Sequence, residues 1–122
     1  MNKLNELELF PLIQHIIDNN LLVIVEGKKD QKALQELGVE KVMTLDTHHK
    51  LVEKVTEKEV VLLVDLDKEG KKLYGKLKDI FSRRGVKVND KLRHYLFKNT
   101  TLRQIEGLTR YVSDSFINSL QQ

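Results

Sequence analysis

Two apolar runs that each stop at an acidic residue constrain the fold of this chain more than any other feature. Residues 21–25 lead into Glu26, and residues 60–64 lead into Asp65, with Asp67 two positions further on. Uninterrupted runs rich in leucine and β-branched residues are typical of strands buried on both faces of a parallel sheet. The carboxyl ends of such strands form the ligand-binding edge of open α/β sheets. The sequence therefore predicts that these acids gather at one functional edge.

The rest of the chain alternates between strand patterns and helix patterns. Connections too long for hairpins favour an α/β fold in which helices cover both faces of a parallel sheet, with right-handed crossovers. Pro11, the sole proline, is expected to start a new helix within the first segment. We expect helices over about 4–19, 29–37, 69–84, 90–97 and 107–120, a further helix from Asp46 or Thr47 to about 56, and strands over 21–26, 39–45, 60–65 and 86–88.

The composition limits the classes of function that the chain can serve. Its 122 residues suffice for one domain with a sizeable core. The absence of cysteine excludes disulfides and thiolate metal sites. No apolar stretch approaches the ~20 residues needed to cross a bilayer and no signal-peptide pattern opens the chain, so we expect a cytoplasmic protein that does not enter membranes. The net charge of +3 is compatible with a polyanionic partner.

Asp65 and Asp67 carry the strongest sign of a metal site. Side chains two residues apart on an extended strand point to the same side, about 6.6 Å apart along the strand. Glu26 faces this pair if the first and third strands are neighbours. Three carboxylates held together repel one another unless a cation joins them, and their oxygen atoms suit Mg²⁺ or Mn²⁺. The alternative is that these acids only cap the helices that follow them.

Glycine and lysine residues surround the same predicted edge. Gly27 and Gly70 allow the backbone to approach a ligand near a helix start, where N–H groups attract phosphate. The nearby lysines are Lys28, Lys29, Lys68, Lys71 and Lys72. A cation held by acids and ringed by lysines suits phosphoryl transfer, because both kinds of positive charge neutralise phosphodiester oxygens.

Both acidic segments resemble the two motifs of the Toprim domain. The first is Val-Ile-Val-Glu-Gly-Lys-Lys-Asp at 23–30, and the second is Leu-Leu-Val-Asp-Leu-Asp-Lys-Glu-Gly at 62–70. Topoisomerases, bacterial-type primases, certain nucleases and recombination-mediator proteins share this domain. The lysine-rich first motif is most similar to that of ribosomal-RNA maturation nucleases and of small stand-alone, primase-like Toprim proteins of archaea and some bacteria. The resemblance covers about residues 21–85.

The resemblance implies a Rossmann-like three-layer α/β/α sandwich with a parallel sheet of about four strands. It also implies that Glu26 acts as a general acid or base in making or breaking a phosphodiester, while Asp65 and Asp67 coordinate Mg²⁺. Asp30 and Glu69 match secondary acidic positions of the two motifs. These residues make up the predicted site.

Other parts of the chain add less to the resemblance. Leu66 stands where topoisomerases and the maturation nucleases often carry proline. Ile105-Glu106-Gly107-Leu108 resembles a stretch near the end of the small archaeal proteins, with no chemistry attached to it. We expect an N-terminal helical segment over 1–20, the Toprim domain over 21–100 and a C-terminal helix over 101–122, all packed into one domain.

Weaker candidates do not add up to a site. His48 and His49 have no carboxylate partner at metal-ligand spacing. The chain lacks the glycine-rich loop with lysine and serine or threonine that binds nucleotide triphosphates. None of the three tyrosines is placed by a motif as a strand-cutting nucleophile, so topoisomerase activity of this chain alone is not expected.

Three functions remain open on the sequence. The first is a Mg²⁺-dependent phosphodiester-processing enzyme, a nuclease acting on DNA or RNA. The second is a Toprim module without catalysis, which binds nucleic acid or assembles with partner proteins of nucleic-acid metabolism. The third is a phosphoacceptor regulator, which also places aspartates at strand ends, although the Glu26-Gly27 pair is not part of that pattern.

Overall fold

Four short parallel strands lie at the centre of the molecule, and helices cover both of their faces. The computed structural model describes residues 5–45, 53 and 55–120. Within these residues the strands are β1 (Leu22–Val25), β2 (Val42–Thr44), β3 (Glu59–Leu62) and β4 (Lys87–Asn89). The helices are α1 (Glu6–Asp18), α2 (Lys28–Glu36), α3 (Lys68–Arg83), α4 (Lys91–Asn99), α5 (Leu108–Tyr111) and α6 (Asp114–Leu120), with a 3-10 turn at Ile105–Gly107.

The strands lie in the order β2-β1-β3-β4, and each neighbouring pair is parallel. Val23 of β1 pairs with Val42 on one side and with Val61 on the other. The strand that follows β1 in sequence, β2, therefore lies on one side of the central pair, and the strand that follows β3, β4, lies on the other side. In doubly wound sheets ligands bind at such a switch point, beyond the carboxyl ends of the two central strands. The predicted four-stranded parallel sheet is confirmed.

The two faces of the sheet pack against different helices. Val23, Val25 and Val61 belong to a core shared with α1, α2, α4, α6 and the residues around the 3-10 turn. Ile24 and Leu62 belong to a second core, which α3 covers. All four residues of β1 are buried, which explains why its sequence shows no polar alternation. The result is a Rossmann-like α/β sandwich with helices on both sides of the sheet.

Pro11 lies inside α1, so the expectation that it starts a new helix was wrong. The helix begins after Asn5, whose side chain accepts a hydrogen bond from the backbone N–H of Leu7 at 3.0 Å. A proline at this position removes an intrahelical hydrogen bond. Burial of Leu9 and Ile13, each contributing about 1.5–3 kcal/mol, offsets that cost and holds the helix in one piece.

The C-terminal segment is broken into a 3-10 turn, α5 and α6, rather than forming the single helix expected over 107–120. Val112 is extended, with φ −113° and ψ 155°, and separates α5 from α6. The hydroxyl of Ser113 then accepts a hydrogen bond from the N–H of Phe116 at 3.1 Å. The carboxylate of Glu6 accepts one from the N–H of Ser113 at 2.8 Å. These bonds fold the end of the chain back against α1.

Smaller differences concern the lengths of the elements. β1, β2 and β3 are shorter than their predicted spans, whereas β4 has the predicted length of three residues and begins one residue later. Gly38 and Gly85, which follow α2 and α3, adopt φ of 102° and 74°, the region that glycine tolerates best. The helix expected from Asp46 or Thr47 lies largely outside the described residues. Across the described ranges, no helix is long and apolar enough to span a bilayer.

Candidate active site

Glu26 and Asp65 meet at the carboxyl edge of the sheet. Glu26 directly follows β1, and Asp65 comes shortly after β3, its neighbour in the sheet. Oε2 of Glu26 accepts a hydrogen bond from the backbone N–H of Asp65 at 2.8 Å. The structure therefore brings together two of the acids that the sequence placed in one site.

Asp67 is the N-cap residue of α3. Its Oδ1 accepts a hydrogen bond from the backbone N–H of Gly70 at 2.8 Å. The capping role that the sequence left open is thus present, and the negative charge also lies favourably against the helix dipole. The bond to Gly70 uses one of the two carboxylate oxygens, so capping and ligand binding are compatible roles for the exposed Asp67 side chain.

Gly70 packs directly against the backbone of Asp65. A Cβ atom on Gly70 would lie 1.9 Å from the carbonyl oxygen of Asp65, so only glycine fits there. The N–H of Gly70 donates to Asp67, and the N–H of Gly27 donates to Asp30 at 3.0 Å. Both glycine N–H groups that were expected to face a phosphate are engaged by carboxylates in this structure.

Asp30 is almost fully buried, with 6% of the residue exposed. It is the third residue of α2, and its bond with Gly27 closes the first turn of that helix. The pKa of the Asp30 carboxyl is raised, mainly by burial and then by the negative charge of Asp65. The hydrogen bond from Gly27 lowers this pKa, and the charge of Glu106 adds to the increase. Asp30 of the first motif is therefore close enough to Asp65 of the second motif for their negative charges to interact.

Burial and repulsion from neighbouring acids raise the pKa values of Glu26 and Asp65. For Glu26 burial is the largest cause; the hydrogen bond from Asp65 opposes it, and the charges of Asp65 and Asp67 add to it. For Asp65 burial again dominates, the bond from Ile105 opposes it, and Asp67 and Glu106 add to it. Raised carboxyl pKa values in a cleft are common among catalytic acids and bases. A bound cation relieves the same repulsion.

The C-terminal segment reaches into this site, which the sequence did not indicate. Oδ1 of Asp65 accepts a hydrogen bond from the N–H of Ile105 at 3.0 Å. The N–H of Leu66 donates to the carbonyl of Arg103 at 2.8 Å. Together these bonds place Glu106 near enough to raise the pKa of Asp65. The family resemblance of this stretch was the only signal that could have pointed to it.

Arg93 of α4 is a second residue that the sequence did not single out. Its guanidinium donates to the carbonyl of Asp65 at 2.8 Å and to that of Val64 at 3.2 Å. The guanidinium also lies over the ring of Tyr74, 4.8 Å from its centroid, and the Tyr74 hydroxyl bonds to Asp90. Burial lowers the pKa of Arg93, against the opposing effects of Tyr74 and Asp90. Arg93 thus fixes the backbone of the second motif and brings a positive charge near the acids.

The remaining predicted residues lie around the rim. Lys28 and Lys68 are the exposed first residues of α2 and α3. Glu69 and Glu26 line the same hollow of about 530 Å³. Lys29 and Asp67 line a larger groove of about 720 Å³. The rim thus offers positive charge on both helices that begin at the sheet edge.

The oxygen donors suit a hard cation in their chemistry, but they are not preassembled around one position. In the portion of the chain that the structure describes, no three carboxylate or imidazole groups are arranged to hold a metal ion. Glu26, Asp65 and Asp67 each direct one oxygen to a backbone N–H. A cation must therefore bind through their second oxygens or draw the side chains away from these bonds.

Comparison with known proteins identifies relatives in archaea and a structural neighbour in a bacterium. The chain is 39% identical over 100 residues to a UPF0292 protein of Methanocaldococcus jannaschii, covering 75% of this chain and 77% of the relative. It is 35% identical over 115 residues to a UPF0292 protein of Methanosarcina barkeri, covering 87% and 79%. A solved structure of an Aquifex aeolicus protein is 28% identical, with a TM-score of 0.73 over 84% of this chain and 96% of that chain. No protein-family model matches.

Proposed function

This chain belongs to the UPF0292 family, and we propose that it is a Mg²⁺-dependent enzyme that cleaves phosphodiester bonds in nucleic acid, built on a Toprim-like domain. The observation that carries this proposal is the contact between Glu26 and Asp65 at the switch point of the sheet. Two acids from separate motifs meet there, where α/β folds bind ligands. Their raised pKa values support a role in proton transfer and cation binding.

In this proposal Asp65 and Asp67 hold Mg²⁺ or Mn²⁺, which when bound neutralises charge on the phosphodiester oxygens. Glu26 moves a proton at the attacking or leaving oxygen, because its raised pKa brings it nearer to the working pH. Arg93 keeps the backbone around Asp65 in place through its two carbonyl bonds. The chemistry therefore needs only groups that already lie at one edge of the sheet.

The exposed lysines at the same edge take the phosphate-binding role. Lys28 and Lys68 begin the two helices that follow the acidic motifs, and Lys29 lies beside Asp67 in the large groove. Lysine side chains here contact the substrate backbone on either side of the scissile phosphate. DNA or RNA is the proposed substrate and the cytoplasm the proposed location.

The test is cleavage of end-labelled RNA and DNA by purified protein with Mg²⁺ or Mn²⁺. Glu26→Gln removes the proton-transfer group while keeping the hydrogen bond to Asp65, and should reduce cleavage about 10²-fold or more. Glu40→Gln changes an exposed acid before β2 and serves as the matched control. Undiminished cleavage by Glu26→Gln would remove Glu26 from the mechanism.

A binding module without catalysis is the second candidate. The observation that favours it is that all three acids hold backbone N–H groups and, over the described residues, form no ready metal site. On this alternative the acids stabilise the sheet edge, and the basic rim binds nucleic acid. Binding that persists in EDTA, with no cleavage under either metal, would favour the module over the nuclease.

A further inference from the structure

A groove of about 720 Å³ runs beside α2 and opens next to Asp67. One wall is a single face of that helix, formed by Lys29, Lys32, Ala33 and Glu36. Their spacing of three, four and seven residues puts them in line, so the wall is roughly 10 Å long. The groove therefore shares Asp67 with the candidate active site and extends along the helix, whereas Glu26 lines the separate hollow of about 530 Å³.

The opposite wall is the C-terminal segment between Thr101 and Tyr111. This wall is tied to the sheet edge by the bond between Ile105 and Asp65. Tyr111 is braced in turn, since its hydroxyl lies 2.9 Å from that of Thr101. Arg103 and Arg110 are exposed on the wall and face the same groove as the lysines. The hydrogen bond from Ile105 therefore fixes this wall of the groove relative to Asp65.

The charges of the groove are arranged for a chain-like anion. Among the described residues four cationic side chains line it, from Lys29, Lys32, Arg103 and Arg110. Three carboxylates, from Glu36, Asp67 and Glu106, also line it, so the cations outnumber the acids by one without any bound metal. Positive charges on both walls can contact about two or three successive phosphates along one strand.

We propose that this groove binds single-stranded nucleic acid and delivers its backbone to the acidic edge. The delivery of the strand to a cleavage reaction rests on the proposed function, whereas the binding of the strand in the groove does not. The phosphates contact the four cationic side chains, and the exposed ring of Tyr111 offers a surface on which a base can stack. The scissile phosphate lies at the end marked by Asp67.

Neither a small molecule nor a duplex fits the groove as well. Small-molecule pockets are mostly apolar and enclose most of their ligand, whereas this groove is open and lined by charged, hydroxyl and amide groups. A duplex keeps its bases paired and stacked inside, so it presents no free base face to the ring of Tyr111. A basic groove with an aromatic residue is typical of single-strand binding.

The test measures binding of fluorescent 12-nucleotide single strands and the matching duplex by anisotropy in EDTA, where cleavage is absent. Lys32→Glu with Arg110→Glu reverses one charge on each wall. Lys58→Glu with Lys87→Glu makes the same change in net charge at the amino end of the sheet, where the N–H of Lys87 bonds to the carbonyl of Lys58. All four side chains are exposed. Circular dichroism spectra of both variants are compared with that of the wild type to check that they fold.

We expect the groove variant to bind the single strand at least about tenfold more weakly than wild type, with a salt slope smaller by about 1.4. The control variant should lie within about twofold of wild type. Equal weakening by both variants, unchanged binding by the groove variant, or tighter binding of duplex than of single strand would each overturn the assignment. Cleavage with Mg²⁺ is measured separately, so loss of the nuclease proposal leaves this result standing.

Discussion

The carboxylate of Glu26 accepts a hydrogen bond from the backbone N–H of Asp65 at 2.8 Å, joining two motifs that lie 39 residues apart in sequence. The contact exists because β1 and β3 are parallel neighbours whose carboxyl ends share an edge. Burial and the other acids raise the pKa values of both carboxyls. This edge therefore carries electrostatic strain that a cation or a proton relieves, as functional sites often do.

Gly70 should prove indispensable to the fold of the second motif. Gly70→Ala places a Cβ atom 1.9 Å from the carbonyl oxygen of Asp65, so the backbone must shift, at a cost of about 1–3 kcal/mol. Gly75→Ala in the same helix meets no atom within 4 Å and should stabilise the protein by about 0.5–1 kcal/mol. Urea unfolding of both variants measures the difference. Equal stabilities would show that the contact with Asp65 is absent.

Two substitutions of Asp67 distinguish its capping role from its proposed role in metal binding. Asp67→Ala removes the acceptor for the N–H of Gly70 and should cost about 1 kcal/mol of stability. Asp67→Asn keeps an acceptor and should unfold near the wild-type denaturant midpoint, yet lose the thermal stabilisation that Mg²⁺ gives. Thermal melts with and without Mg²⁺ report both effects. If Asp67→Asn responds to Mg²⁺ as wild type does, Asp67 is a cap and nothing more.

Arg93 should matter for stability because its guanidinium serves two backbone carbonyls at once. Arg93→Lys cannot reproduce the bonds to both Val64 and Asp65, so we expect a loss of about 1–3 kcal/mol. The control is Arg83→Lys, whose partner Asp79 is exposed and whose effect should stay within about 0.5 kcal/mol. Denaturant midpoints compare the two. A loss in Arg93→Lys no larger than in the control would refute this role.

Asp65 should make the metal-free protein less stable as pH rises. Its pKa is raised in the folded state, so the folded protein holds the proton at pH values where the unfolded chain has released it. Stability from this group is thus highest below the unfolded value of 3.8 and is lost as pH rises through the folded value. Asp65→Asn keeps an acceptor for Ile105 and should gain about 0.5–1 kcal/mol over wild type at pH 7.

The comparison for this last variant is made as a difference in Tm between wild type and Asp65→Asn across pH 3.5–8, in EDTA. Groups far from Asp65 titrate alike in both proteins and cancel in that difference. The charge of Asp65 also raises the pKa values of Glu26 and Asp30, so its removal changes their contribution in the same direction. The gain should shrink towards acidic pH, where wild-type Asp65 becomes protonated. A gain that is constant with pH, or a loss at neutral pH, would contradict the raised pKa.

The sheet and the acidic residues at its carboxyl edge were predictable because both depend on local sequence patterns. Fully apolar runs identified β1 and β3, and the acids that follow them mark the edge where the strands end. The sequence left open whether β1 and β3 are neighbours in the sheet, and the structure shows that they are. Hence Glu26 and Asp65 were placed correctly with respect to the sheet edge.

What escaped prediction depends on contacts between distant parts of the chain. Arg93 reaches Asp65 across 28 residues, and the N–H of Ile105 reaches it across 40. Neither residue carries a local pattern that separates it from an ordinary helix or loop position. The continuous α1 across Pro11 also results from tertiary packing, because the burial of its apolar face outweighs a missing hydrogen bond.

The most direct measurement is a calorimetric Mg²⁺ titration of the wild type against Asp65→Asn, with Asp79→Asn as a control of equal charge change. Asp79 is an exposed residue paired with Arg83 on α3, and its substitution should leave the titration unchanged. We predict saturable binding in the wild type and in Asp79→Asn, and a loss of about tenfold or more in affinity in Asp65→Asn. No saturable heat in the wild type, or equal affinity in all three proteins, would contradict a metal centre at this edge.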